Sequence, residues 1–172
     1  ESEDFDFETD EQCRELSRVF DKWHGHDDGR IRIDAGIHAE YTGNHKLWEA
    51  LSAFAAEKNT RMQLQLSQTQ AEADSCLDRT GLSQAELLDC HGMFRVPAAA
   101  AGCACLSPED MTLLGKRKAS AVALPMAAAK AGHPQTPVFA CVKAGMNVAL
   151  GTGGIPDCGN TDMFEVIRAL AL

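Results

Sequence analysis

Apolar residues recur along the chain in two alternating patterns: short, nearly continuous apolar runs, and longer amphipathic segments with a helical period. The runs predict buried strands, and the amphipathic segments predict helices that pack on them. The predicted strands are 31–39, 62–69, 97–106, 120–126 and 146–152. The predicted helices are about 10–23, 46–58, two that begin after Thr69 and Ser83, about 108–117, 137–145, and one from Thr161 to the end.

Strands that alternate with helices predict an α/β fold of parallel βα units, with about five strands and right-handed crossovers. Start signals support four of the helices. Thr9, Thr69 and Ser83 each stand three residues before Gln or Glu, which is the spacing of a capping box, and Ser107 precedes a proline and two acids. An open doubly wound sheet and part of a (β/α) barrel both fit this pattern, because periodicity does not distinguish them.

Length and composition indicate one domain over residues 1–172, in which the acidic segment 1–9 is predicted to be a mobile leader. The formal net charge of −9 argues against nucleic acid and anionic membranes as partners. No run of 18 apolar residues is present, so no membrane-spanning helix is expected. Seven dispersed cysteines without a CxxC pair indicate free thiols in a reducing compartment, and we therefore predict a cytoplasmic protein.

Four segments carry a resemblance to a known family: IDAGIHAEYTGNHKLWEAL, LQLSQTQAEADSCLDRTGLSQAELLDCHGMF, LSPEDMTLL and AGMNVALGTGG. With these segments, residues 10–172 resemble the amidohydrolase superfamily, in the branch of the chlorohydrolases and the methylthioadenosine/S-adenosylhomocysteine deaminases. The resemblance implies a metal-dependent hydrolase on a (β/α)8 TIM barrel, with zinc or iron activating a water at the carboxyl ends of the strands. It implies that this chain supplies roughly the fourth to eighth strands, a partial barrel that lacks the first strand and its metal-binding His-x-His pair.

The resemblance also implies that polar site residues of the family are replaced here. Gln65 matches a metal-binding histidine, Gln68 a proton-shuttling glutamate, and Gly153 a metal-binding aspartate that also acts as a base. A glutamine amide is neutral, binds zinc poorly and does not accept a proton near pH 7. Polar family residues are replaced at three further positions. Gly102 and Ala123 match histidines on two strands, and Ala128 matches an asparagine.

Two residues at family pocket positions keep a side chain that can interact with a ligand. His38 matches a strand-four histidine that points at the substrate, and Cys105 matches a position where an aromatic residue or histidine often contacts it. The alternative for His38 is a histidine whose ring is satisfied by hydrogen bonds at a strand end.

These observations support three hypotheses. In the first, the chain is an amidohydrolase-like barrel segment that is inactive alone, and no metal or other cofactor is expected. In the second, it is a binding or structural subunit whose exposed sheet edges complete a barrel or oligomer with another chain or with a second copy. In the third, it keeps metal-dependent hydrolysis of C–N or C–Cl bonds of a ring substrate, using ligands that the motifs do not reveal.

Overall fold

Five parallel strands form one sheet in the computed structural model, which describes residues 5–171. They are β1 (Ala35–Gly36), β2 (Met62–Leu66), β3 (Ala98–Gly102), β4 (Ser120–Ala123) and β5 (Asn147–Leu150). The strands pair in sequence order, β1-β2-β3-β4-β5, and every neighbouring pair is parallel. The predicted α/β fold with a parallel five-stranded sheet is therefore confirmed, and the described part of the sheet has β1 and β5 at its edges.

Helices connect the strands and cover the sheet. They are α1 (Glu11–Trp23), α2 (His26–Gly29), α3 (His45–Glu57), α4 (Gln70–Thr80), α5 (Gln84–Cys90), α6 (Pro108–Lys116), α7 (Pro125–Ala131), α8 (Val138–Lys143), α9 (Ile155–Cys158) and α10 (Met163–Ala171), with a 3₁₀ turn at Glu40–Thr42. The predicted N-caps at Thr69, Ser83 and Ser107 are confirmed, because each side chain accepts a hydrogen bond from the backbone N–H three residues later.

Several local predictions are wrong. The strands predicted over 62–69 and 97–106 end at Leu66 and Gly102, because the next residues, Ser67 and Cys103, have a left-handed backbone. The first helix is capped by Asp10 rather than Thr9, since the Asp10 carboxylate accepts the Cys13 N–H at 2.9 Å. The strand predicted to reach residue 126 ends at Ala123, because helix α7 begins at Pro125. The apolar residues of α7 continue those of the strand, so the apolar pattern gave no sign of the boundary. The strand predicted over 31–39 contains only two paired residues, Ala35 and Gly36, which lie opposite Met62 and Gln63 of β2.

The core lies between the sheet and the helices. Its largest fully buried side chains include Phe94, Met62, Leu66, Leu88 and Met93. The central strand β3 consists of four alanines and a glycine, so small side chains leave room for close packing on the sheet. Residues 1–4 of the acidic leader lie outside the described residues, and within its remaining part Phe7 packs against Phe54 at a ring distance of 5.6 Å. No helix in residues 5–171 has the length and apolar character needed to cross a bilayer.

Candidate functional site

The carboxyl ends of the strands surround a cavity of about 480 Å³. Parallel strands bring their carboxyl ends to one edge of the sheet, where the following loops converge. Polar or charged side chains line the cavity together with Gly153; they are His38, Gln65, Gln68, Lys130, His133 and Asp157. Leu124, Ala127, Ala131 and Pro156 form its apolar wall.

Most of the residues selected from the sequence lie at this cavity. His38, Gln65, Gln68 and Gly153 line it directly. An adjoining void of about 10 Å³ is lined by Gly102 and Ala128, together with Gln68 and His133. Of the remaining selected positions, Ala123 is buried at the end of β4 and Cys105 is half-buried; neither lines these two cavities. The replacement of family residues at these positions stays a prediction.

The loop after β2 holds Gln68 in place. Ser67 has a left-handed backbone with φ 45°, which is unusual for a non-glycine residue. The Gln84 side-chain oxygen accepts hydrogen bonds from both the backbone N–H and the hydroxyl of Ser67, each at 3.0 Å. The Gln68 N–H then donates to the Glu72 carboxylate at 3.2 Å. These bonds stabilise the turn that carries the Gln68 side chain to the cavity.

An ion pair with one buried partner joins the 3₁₀ turn after β1 to helix α4 after β2. The Glu40 carboxylate is only 2% exposed, and the Arg79 guanidinium contacts both its oxygens, at 2.8 and 3.1 Å. The Gln84 side-chain amide also donates to Glu40 at 3.5 Å, while its oxygen holds Ser67. Glu40 follows the cavity residue His38 by two positions, so this network ties the carboxyl end of β1 to that of β2.

The backbone of the loop after β5 favours glycine at position 153. Gly153 has φ 80°, and a Cβ there would lie 3.3 Å from the Ala127 Cβ and 3.4 Å from the Asp157 Cβ. A side chain at this position is therefore strained by the backbone and tight against α7 and α9. The loop is fastened to α7 by the Lys130 ammonium, which donates to the Pro156 carbonyl at 2.7 Å.

Sequence reasoning missed three polar residues of the cavity, which are Lys130, His133 and Asp157. His133 is the most informative, because its Nδ1 atom is buried and makes no hydrogen bond with any described residue. A signal was available: all three follow β4 or β5 in the chain, and in βα folds the segments that follow strands form the site. Lys130, His133 and Asp157 share no sequence motif; they come together because the segments that carry them follow strands that end at the same edge of the sheet.

The side chains at this edge do not form a metal site. Among residues 5–171, no group of three or more His, Cys, Asp or Glu side chains is positioned to hold a metal ion. The zinc or iron that the family resemblance implies therefore does not fit the residues present in this part of the chain. A nucleophilic role for Cys105 is disfavoured, since burial and the negative charges of Glu72 and Asp74 raise the pKa of its thiol.

Comparison with known proteins identifies relatives over nearly the whole chain. The model of the amidohydrolase family matches residues 2–172. A 5-methylthioadenosine/S-adenosylhomocysteine deaminase of Thermoanaerobacter pseudethanolicus is 35% identical over 161 residues, covering 94% of this chain and 37% of the relative. A 5′-deoxyadenosine deaminase of Methanothermobacter thermautotrophicus is 29% identical over 161 residues, covering 94% of this chain and 38% of the relative. The chain thus spans less than two fifths of the length of these relatives.

Solved structures agree with this result. An adenosine deaminase from Xanthomonas campestris with bound zinc matches with a TM-score of 0.85 and 25% identity, covering 92% of this chain and 36% of that protein. The atrazine chlorohydrolase of Arthrobacter aurescens, complexed with zinc, matches with a TM-score of 0.79 and 18% identity, covering 86% of this chain and 33% of that protein. Both are amidohydrolase TIM barrels, so the predicted partial (β/α)8 barrel is confirmed.

Proposed function

Because the chain belongs to the amidohydrolase family, we propose that these 172 residues form a barrel segment that binds a small ligand and does not carry out metal-dependent hydrolysis by itself. The observation that supports this proposal is the composition of the strand-end cavity. Gln65, Gln68 and Gly153 occupy its wall, and none of them is a strong zinc ligand or a base near pH 7. The Asp157 carboxylate and the imidazoles of His38 and His133 line the cavity, but among the described residues they do not form a group positioned to hold a metal ion.

The same cavity has the properties of a binding pocket. Its volume of about 480 Å³ lies within the range of small-molecule sites. Amide, imidazole and ammonium groups line it together with apolar side chains, which is the usual combination of orienting polar groups and hydrophobic contact. Metal-dependent hydrolysis would require an activated water, and residues 5–171 offer neither a group of three metal ligands nor a glutamate at position 68.

Metal content is the direct test. We expect tag-free protein to contain close to no zinc after incubation with zinc and dialysis, measured by mass spectrometry. We also expect no ammonia release from 5-methylthioadenosine, S-adenosylhomocysteine or 5′-deoxyadenosine, which are the substrates named for the relatives. The Thermoanaerobacter pseudethanolicus deaminase serves as the positive control in both assays.

A variant that carries the metal-binding residue types of the family makes the zinc measurement more decisive. Gln65→His with Gly153→Asp places two zinc-binding side chains on the cavity wall beside His38, so bound zinc should rise above the wild-type level. Aspartate tolerates the left-handed backbone of position 153 better than most residues. Gln70→His with Gly159→Asp, at exposed positions outside the cavity, is the matched control. One zinc per wild-type chain that survives dialysis, with turnover, would refute the proposal in favour of a retained hydrolase.

A second candidate function is that of a structural subunit that completes a barrel or oligomer. The supporting observation is that, in residues 5–171, β1 pairs only with β2 and β5 only with β4, so both edges offer unpaired backbone groups. Large apolar side chains are exposed on the helices that flank β5 in sequence, with Phe139 of α8 at 92% and Phe164 of α10 at 81% exposure. Such exposure is typical of interaction surfaces.

For this second function we expect self-association that grows with concentration, giving a light-scattering mass above the 18.5 kDa of one chain. Phe164→Lys should shift the equilibrium toward the monomer, because a charge would be buried in the contact. Leu77→Lys, at a 52% exposed apolar position on α4, is the matched control and should leave the mass unchanged. A wild-type chain that stays monomeric at every concentration would count against a self-complementing subunit.

A further inference from the structure

A groove of about 920 Å³ runs along the open edge of β1. Its lining extends from Asp34, just before the strand, to His38, just after it, so the groove has the length of a short strand. Apolar side chains of two helices form part of its wall; they are Cys13 and Leu16 of α1 and Leu47 and Leu51 of α3. An extended segment in this groove would lie beside β1 and cover these side chains.

The backbone of β1 directs hydrogen-bonding groups into this groove. The N–H groups of Ala35 and Ile37 donate to the Arg61 and Gln63 carbonyls, at 2.9 and 3.1 Å. Because successive residues of a strand direct their N–H and C=O groups to opposite sides, Gly36 points both of its groups away from β2. Gly36 lines the groove, so its peptide groups offer one donor and one acceptor to a further strand.

Helix α1 indicates what kind of segment fits the groove. It precedes β1 in the chain, and its Cys13 and Leu16 side chains share the lining of the groove with Gly36 and Ile37 of β1. In a βαβ unit, the connecting helix packs over both of the parallel strands that it joins. Within residues 5–171 no strand precedes α1, so this part of the chain contains only the second strand of such a unit. A parallel strand in the groove would complete it.

A TIM barrel has eight parallel strands, whereas residues 5–171 supply five. We propose that the groove receives a β-strand from a second polypeptide, which lies parallel to β1 and is hydrogen-bonded to Gly36; the inference rests on the second candidate function, that of a structural subunit. Main-chain hydrogen bonds give such an added strand its affinity, and its alternate side chains give specificity.

The hydrogen-bond pattern of the sheet determines the chemistry of that strand. Ala35 and Ile37 pack in the core between sheet and helices and donate to the following strand, and the buried Met62 of β2 likewise donates to the Pro97 carbonyl at 3.0 Å. In an added strand of the same pattern, the residues that donate to the Gly36 carbonyl have side chains that face the helices. These residues are apolar, whereas the residues between them face the opposite side of the sheet and can be polar.

The added strand would also extend the wall of the strand-end cavity. His38 lines both this cavity and the groove. Because parallel strands bring their carboxyl ends to one edge of the sheet, the last residues of the added strand lie beside His38. The second polypeptide thus contributes a side chain to the same cavity.

The experiment is a titration of the ¹⁵N-labelled full chain with a capped peptide of about six residues, in which valine and threonine alternate. We expect saturable shifts of the Gly36 backbone amide, with a dissociation constant on the order of 1 mM, and slower hydrogen exchange of this amide in the complex. The matched control peptide carries N-methyl groups on its valines, which removes the N–H groups directed at β1. It should bind at least about fivefold more weakly, because backbone hydrogen bonds are lost.

A variant of the groove tests its apolar wall. Leu16→Lys places a charge against the apolar face of the peptide, so the affinity should fall by at least about fivefold. Leu77→Lys, at an exposed apolar position of α4 outside the groove, is the matched control and should bind the peptide like the wild type. The N-methylated peptide probes the same contact on the wild-type chain, so the test does not depend on the folding of a variant.

Two results would overturn the inference: no saturable shift of the Gly36 amide by the peptide, or equal binding of the peptide and its N-methylated form. Light scattering separates this failure from failure of the structural-subunit function. A chain that does not bind the peptide but self-associates in a manner that Phe164→Lys weakens refutes the β1 groove alone. A chain that does not bind the peptide and stays monomeric at every concentration refutes both.

Discussion

Replacing Gly115 with alanine is expected to lower the free energy of unfolding by about 2 kcal/mol, although alanine is the better helix former. Gly115 lies near the end of α6, where the helix approaches the end of α8. A Cβ at this position would lie 2.0 Å from the carbonyl oxygen of Ala144 and 3.0 Å from its carbonyl carbon. Real Cβ atoms do not approach backbone atoms this closely, so the two helices would have to move apart.

Two effects of opposite sign compete at this position. Alanine gains about 1 kcal/mol over glycine inside a helix, because the unfolded chain loses less conformational freedom on folding. Overpacking a filled interface costs about 1–3 kcal/mol or more, and the obstacle is backbone, which cannot rotate away as a side chain can. The steric cost therefore exceeds the gain in helix propensity.

Urea unfolding monitored by circular dichroism measures this difference. Lys116→Ala is the matched control, since it changes the next residue of the same helix at an exposed site. Its effect should lie within about 0.5 kcal/mol of zero. A Gly115→Ala protein as stable as the wild type would show that α6 and α8 do not meet as closely as the structure has them.

Replacing Arg79 with methionine is expected to lower the free energy of unfolding by about 2 kcal/mol. The variant leaves the Glu40 carboxylate, which is 2% exposed, without its cationic partner. Breaking a fully buried ion pair costs about 3–5 kcal/mol. The expected loss is smaller because the Arg79 side chain is 49% exposed, and solvent screens its charge.

A double-mutant cycle assigns this loss to the pair. Adding Glu40→Gln to Arg79→Met should recover part of the stability, because a neutral amide is less costly to bury than an unpaired carboxylate. Arg18→Met is the matched control, since Arg18 pairs with an exposed Glu15 and should have no resolvable effect. The Ser67 amide should also exchange faster in Arg79→Met, because Gln84 links it to Glu40. Equal effects of the Arg79 and Arg18 substitutions would contradict the buried pair.

The order and type of the main elements could be derived from the sequence, because the signals for them are local. Apolar periodicity distinguishes strands from amphipathic helices within a few turns, and alternation of the two implies a parallel sheet. The caps at Thr69, Ser83 and Ser107 were predictable for the same reason, since each hydrogen bond closes over three residues. Gln65, Gln68 and Gly153 were selected in another way, because the segments around them resemble motifs of the amidohydrolase superfamily.

Only the tertiary structure decided which distant residues meet. Glu40 pairs with Arg79 across 39 positions, and Gly115 approaches Ala144 across two elements. His133, Lys130 and Asp157 reach the cavity because parallel strands direct their following segments to one edge, where no sequence pattern relates them. Local hydrogen bonds and periodicity depend on residues that are close in sequence, whereas long-range contacts depend on how the whole sheet and its helices pack.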